Sequence, residues 1–168
     1  MSGSVPESTG HRTCDLKIGG ACALYEYLYQ GDFFMMQDYI KHVEERKAQG
    51  IPPLPLSPQF TAEVCKMLEN PAKDQADFLK DLIVNRVSPG VDPAAEVKAA
   101  WLEKVAKGAV KCPVITKKEA VFFLGTMLGG YNVKPLVDLL KDAELGADAA
   151  EALKQTILVY GSFDDVLA

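Results

Sequence analysis

A chain of 168 residues, 48% hydrophobic and 24% charged, is long enough to bury the core of one domain and too apolar to stay disordered. Its net charge of −5 gives no general attraction to phosphate backbones, so nucleic acid is not an expected partner. Cys14, Cys22, Cys65 and Cys112 form no C-x-x-C pair, and His11 and His42 fall in no H-E-x-x-H pattern, which leaves no metal or cofactor motif.

Residues 1–32 read as an N-terminal extension or arm, rich in Ser, Gly and Thr over the first twenty positions and without helical or strand period. The apolar stretch "IGGACALYEYLY" is short and carries Glu26, so it fits neither a membrane span nor a secretory segment. A non-secreted protein of the cytoplasm or of a soluble organellar compartment is expected. The domain proper is placed at 33–168.

Phe33, Met36, Tyr39 or Ile40, and Val43 recur at steps of three and four, which predicts a first helix over 33–49 with Gly50 as its stop. "IPPLPLSP" interrupts it, and Ser57 followed by Pro58 caps and starts a second helix over 58–69. Asp74 is the expected cap of a third, whose face of Phe78, Leu79, Leu82 and Ile83 runs to Arg86 before "SPGVDP". Asp92 and Pro93 open a fourth, in which Val97, Trp101 and Val105 stack and Gly108 terminates. "TKKE" at 116–119 is a capping box for a fifth helix through Leu128. Periodic segments over 133–142 and 148–160 complete the series, the last with Leu153 and Ile157 on its apolar face.

No run alternates with period two, so the chain is all-α. Expected helix starts at 33, 74 and 117, and at 92 and 133, recur every 41 to 43 residues, the spacing of HEAT-type helix pairs. Seven or eight helices stacked as neighbouring pairs in a right-handed α-α superhelix would bury their stripes and leave an extended surface.

"GTMLGGYN" at 125–132 has the composition of a phosphate loop, but it follows a helix and lacks G-K-[ST]. Gly129 and Gly130 read as the end of helix five, Asn132 as the cap of helix six, and Pro135 as a first-turn residue. Asp77, Asp81 and Asp138 lie beside lysines at helical spacing, as on a solvated face, and Thr126 has no histidine placed to activate it. No catalytic, cofactor or metal residue is assigned. Asn85, Arg86, Gly129, Gly130, Tyr131 and Asn132 fall at helix ends on what would be one rim of the superhelix, a candidate interaction surface; the alternative is that the asparagines only cap.

Three runs carry a family resemblance: "MQDYIKHVEERKAQGIPPLPLSPQ", "FLKDLIVNRVSPGVDPAAEVKAAWL" and "VITKKEAVFFLGTMLGGYNVKPLVDLL". Together they resemble the N-terminal HEAT-like domain of the bacterial aconitase B family, bifunctional aconitate hydratases and 2-methylisocitrate dehydratases, over about residues 36–168. The resemblance implies an α-α superhelix that precedes a swivel domain and a catalytic core. It places the [4Fe–4S] cluster and the substrate ligands in those other domains, and Cys65 and Cys112 supply no cluster motif, so no catalytic residue transfers. It also implies protein association, self-association included, and a wall of the substrate passage. Met36 falls where the bacterial proteins begin, so residues 1–35 are an addition. The expectation is a non-catalytic interaction module. The alternatives are a split aconitase subunit that gates substrate, or a peripheral subunit of a membrane-bound or organellar assembly with the arm as anchor.

Overall fold

The computed structural model describes residues 36–72 and 74–157. They form α1 (36–48), α2 (Pro58–Glu69), α3 (Ala76–Asn85), α4 (Pro93–Ala106), α5 (Lys117–Gly125), α6 (Val133–Leu139) and α7 (Gly146–Lys154). Among the described residues there is no β-sheet, and no helix is long and apolar enough to cross a membrane. The expected arm, Phe33, Cys14, Cys22, His11 and Tyr160 lie outside the described residues.

Local chemistry explains several helix ends. The Ser57 hydroxyl accepts from the Phe60 N–H at 3.2 Å, and the Asp92 carboxylate from the Ala94 N–H at 2.8 Å, each just ahead of a proline whose missing donor costs nothing there. Thr116 and Glu119 form the reciprocal capping box, with Thr116 Oγ1 accepting from Glu119 N and Glu119 Oε2 accepting from Thr116 N. At the far end of α4, Gly108 sits at φ 71°. Its N–H meets the Val105 carbonyl, and the Ala109 N–H reaches Lys104, which satisfies two carbonyls that the helix leaves open.

Several expectations are corrected. Helix three begins after Gln75 rather than on an Asp74 cap, and Phe78 faces outward while Leu79, Leu82 and Ile83 are buried. Helix five ends at Gly125, not Leu128, because Leu128, Gly129 and Gly130 all take positive φ, which no right-handed helix accommodates. Asn132 does not cap helix six: its side chain is fully buried and donates from Nδ2 to the Leu124 carbonyl at 2.7 Å. Helix six stops at Leu139 and helix seven already starts at Gly146, because the Asp142 carboxylate takes up the N–H groups of Glu144 and Leu145 and folds the chain back. Leu153 is buried on α7, but Ile157 lies past its end and is exposed.

Neighbouring helices pack as pairs, α2 with α3, α4 with α5 and α6 with α7. The α2–α4 and α5–α7 contacts join successive pairs, which makes the domain an all-α solenoid. Leu68, Leu79, Ile83, Leu102, Leu124, Leu136 and Leu145 fill the space between layers. Trp101 is a core residue, as its position in the α4 stripe requires, and its indole N–H donates to Glu69 at 3.2 Å. Helices α5 and α7 approach so closely at Gly125 that a methyl there would stand 2.9 Å from the Ala152 methyl.

Candidate interaction edge

Pairwise stacking brings the connectors that follow α1, α3 and α5, and the chain leaving α7, to one edge of the solenoid. Main-chain hydrogen bonds join them in sequence: Leu56 N–H to Arg86 O at 2.7 Å, Gly90 N–H to Met127 O at 3.2 Å, and Ile157 N–H to Leu128 O at 3.3 Å. The first connector is also tied back to α1, since Arg46 Nε donates to Pro52 O at 2.7 Å and His42 Nε2 accepts from the Leu54 N–H. Glycine is required at Gly130: φ is 82°, and a Cβ would lie 3.0 Å from the Gly90 carbonyl oxygen and 3.3 Å from Val91.

This edge is apolar where a solvated edge would be polar. Of the nine large hydrophobic side chains exposed among the described residues, six stand on it: Ile51, Leu54, Val91, Leu128, Tyr131 and Ile157. Val91 is 74% exposed and Ile157 76%, so neither belongs to the core of this chain. Leu128 adds backbone strain, since a non-glycine residue at φ 64° pays on the order of 1–2 kcal/mol for it. The charged residues of these connectors are Arg86 and Asp92, and the Asp92 carboxylate is engaged in capping α4. The opposite edge is built differently and carries Asp74, Lys107, Lys111, Lys141, Asp142 and Glu144.

The structure distributes the six rim residues read from the sequence as follows. Asn85 is exposed and its amide donates to Asp81 at 2.7 Å, on the side of α3. Arg86 is half-buried, accepts the Leu56 N–H through its carbonyl, and lies near enough to the Tyr39 phenol to oppose the rise in its pKa that burial causes. Gly130 and Tyr131 are at the surface beside Val91 and Leu128, whereas Gly129 is buried and Asn132 sits in the core. Ile51, Leu54, Val91 and Ile157 complete the edge; for the first three the available signal was their location in connectors, where an apolar residue has no helix stripe to join, whereas Ile157 read as part of the last helix.

The interior holds titratable groups without the geometry of a reaction site. Lys98 is 4% exposed, donates to the Val84 carbonyl at 3.4 Å, and has its pKa pushed down to about 8 by burial, which the neighbouring Cys65 partly offsets. Burial, reinforced by Glu69, pushes the Cys65 thiol up to about 12. Cys65 and Cys112 are free, and the Cys112 thiol donates to the Leu68 carbonyl at 3.2 Å. Among the described residues no group of three or more His, Cys, Asp or Glu is placed to hold a metal ion. The apolar groove between α1 and α2, lined by Met36, Tyr39, Phe60 and Met67, encloses about 10 Å³, too little for an organic acid.

Comparison with known proteins matches residues 38–168 to the aconitate B N-terminal domain. Aconitate hydratase B of Pseudomonas aeruginosa is 52% identical over 132 residues, that of Synechocystis sp. 50% over 135, and that of Escherichia coli 49% over 132. Each alignment covers 79% of this chain but only 15% or 16% of the relative, so the chain spans about one sixth of the length of the proteins it matches. The pairwise α-solenoid and the family match over residues 38–168 lead to one conclusion: this chain belongs to the aconitase B family, as a form of its N-terminal domain.

Proposed function

We propose that this chain is a non-catalytic protein interaction module that docks onto a protein surface through the edge carrying Val91, Leu128, Tyr131 and Ile157. The observation behind this reading is the concentration of exposed apolar side chains on one hydrogen-bonded edge. An apolar, charge-poor patch on a rigid frame has the composition of the buried centre of a protein interface. The test compares the native mass of the complexes formed by the wild-type chain and by Val91→Asp, measured by size exclusion with light scattering. The complexes should disappear in the variant while its circular dichroism stays unchanged. Complexes that survive Val91→Asp and Ile157→Asp together would refute the docking edge.

A second reading is favoured by the family match. As the N-terminal domain of aconitate hydratase B, the matched segment would guide substrate toward the cluster-bearing part of that enzyme. Recovery of the remaining aconitase domains in the complex supports this reading, and a complex without them removes it.

A further inference from the structure

We propose that residues 21–30 of this chain, which lie outside the described residues, supply the helix that pairs with α1 and occupy the apolar groove between α1 and α2. The groove is made mainly by helix faces and is not the docking edge. The segment lies ahead of the family match at 38–168.

The order of the solenoid leaves a place for such a helix. Helix α2 pairs with α3, α4 with α5 and α6 with α7, so α1 stands at the start of the series as an odd member. The first helix of one pair also packs on the first helix of the next, as α2 does on α4. A helix paired with α1 would stand to α2 as α2 stands to α4, which sets it against α1 and α2 together. The end of a helical stack has no further layer to bury its apolar face, so it requires a cap.

The groove at that place is apolar and holds an unanswered polar atom. Met36, Tyr39, Leu56, Phe60, Val64 and Met67 line it, and Phe60 and Met67 remain half-buried. Ile40, which follows Tyr39 on α1, is 41% exposed. The Tyr39 ring stands 6.1 Å from that of Phe60, and its hydroxyl is buried with no hydrogen-bond partner among the described residues. The large majority of buried side-chain polar atoms in native proteins are paired. An occupant of this groove should therefore bring a polar atom as well as apolar bulk.

The stretch "ACALYEYLYQ" at 21–30 has both. Ala21, Leu24, Tyr25 and Leu28 fall at i, i+3, i+4 and i+7, the spacing of one helical face, and Tyr25 adds a hydroxyl to it. Gly31 and Asp32 then read as a helix stop and turn. The connection over 31–35 has a length usual between paired helices, about 2–8 residues. A helix over 21–30 would extend about 15 Å, enough to span Phe60 and Met67, which lie about 10 Å apart along α2. The described chain enters α1 at Met36, itself in the groove wall, so the segment meets the groove before any other surface. A tether this short gives an effective concentration on the order of millimolar, which favours the segment over a second copy or a separate partner.

Peroxide oxidation of Met67 in the full chain, read by peptide mass spectrometry, tests the occupancy. Leu24→Asp with Leu28→Asp should raise the Met67 rate at least about threefold, because an uncovered thioether oxidises faster, and leave the buried Met127 unchanged. Tyr39→Phe should lower the melting midpoint by about 2–4 °C in the wild-type chain and have no such effect beside the two aspartates, where the hydroxyl has already lost its partner. A photo-reactive benzophenone in place of the Tyr25 ring, in the otherwise unchanged protein, should cross-link to peptides of α1 or α2 within one chain. Equal Met67 oxidation with and without the aspartates overturns the inference, as does a Tyr39→Phe loss of one size in both backgrounds. Cross-links elsewhere in the chain, or a cross-linked product of two chains, also overturn it.

Discussion

Gly125→Ala tests the closest approach in the solenoid. The added methyl would stand 2.9 Å from Ala152 Cβ and 3.1 Å from Ala152 Cα, against an ordinary carbon contact of about 3.5–4.0 Å. One of those neighbours is main chain, so rotamer change cannot relieve the clash and α7 must shift away from α5. Overpacking of this kind costs about 1–3 kcal/mol. Alanine returns up to about 1 kcal/mol over glycine in a helix interior, and less here because Gly125 is the last residue of α5. The net loss is about 1–2 kcal/mol, or a melting temperature lower by roughly 2–8 °C for a chain of this size. Thermal and urea unfolding measure it. Adding Ala152→Gly removes the nearer contact, so the double variant should be more stable than the two separate losses predict, by at least about 0.5 kcal/mol. A Gly125→Ala protein that melts higher than wild type, or strict additivity of the pair, would refute the reasoning.

Alkaline stability should follow Lys98 and Cys65 in opposite senses. The folded pKa of Lys98 is depressed to about 8, so above that pH the unfolded chain holds the extra proton and stability rises; Cys65, raised to about 12, keeps its proton in the folded state and lowers stability above about pH 9. Urea midpoints should therefore climb from pH 8 to 9, level off, and fall above 10.5. Lys98→Met should remove the climb, and a climb that persists would sink the assignment. Thr116→Ala breaks the capping box and should cost about 0.5–2 kcal/mol, with the loss confined to α5 in hydrogen exchange. Glu119, held down to about 2 mainly by Lys80 and then by Thr116, contributes stability above its unfolded pKa that is lost as pH falls through the folded value. Glu119→Gln should flatten that acid limb, by under about 1 kcal/mol because the Lys80 pair is partly solvated. Leu128→Gly should leave the free chain as stable as wild type or slightly more so, by up to about 1 kcal/mol. A clear loss in calorimetry would mean that Leu128 is not strained.

The features readable in the sequence are those decided within a few residues. Ser57, Asp92 and the Thr116–Glu119 box act on N–H groups two or three positions away, and Gly50 and Gly108 stop helices with their own backbone. Asn132 shows where this locality ends. An asparagine ahead of a helix reads as a cap, but here the Leu124 carbonyl, eight residues back at the end of α5 and already accepting from the Met127 N–H, offers a buried partner instead. Helical spacing placed Phe78 on a stripe with Leu79, Leu82 and Ile83, yet spacing does not tell which flank of a stripe a neighbouring helix covers. The apolar edge was the least legible part. Ile51, Leu54 and Val91 are unremarkable loop residues until three long-range backbone hydrogen bonds bring their connectors together. Nothing in leucine's propensities announces a left-handed Leu128.

The bonds that join those connectors run between main-chain donors and acceptors, which are present whatever side chains the connectors carry. Contour and chemistry are therefore separable on this edge. Gly130 must stay for its close approach to Gly90, but Leu54, Val91 and Ile157 can change letters without disturbing the frame that presents them. The three or four exposed side chains on this edge can be rewritten with the solenoid inherited intact.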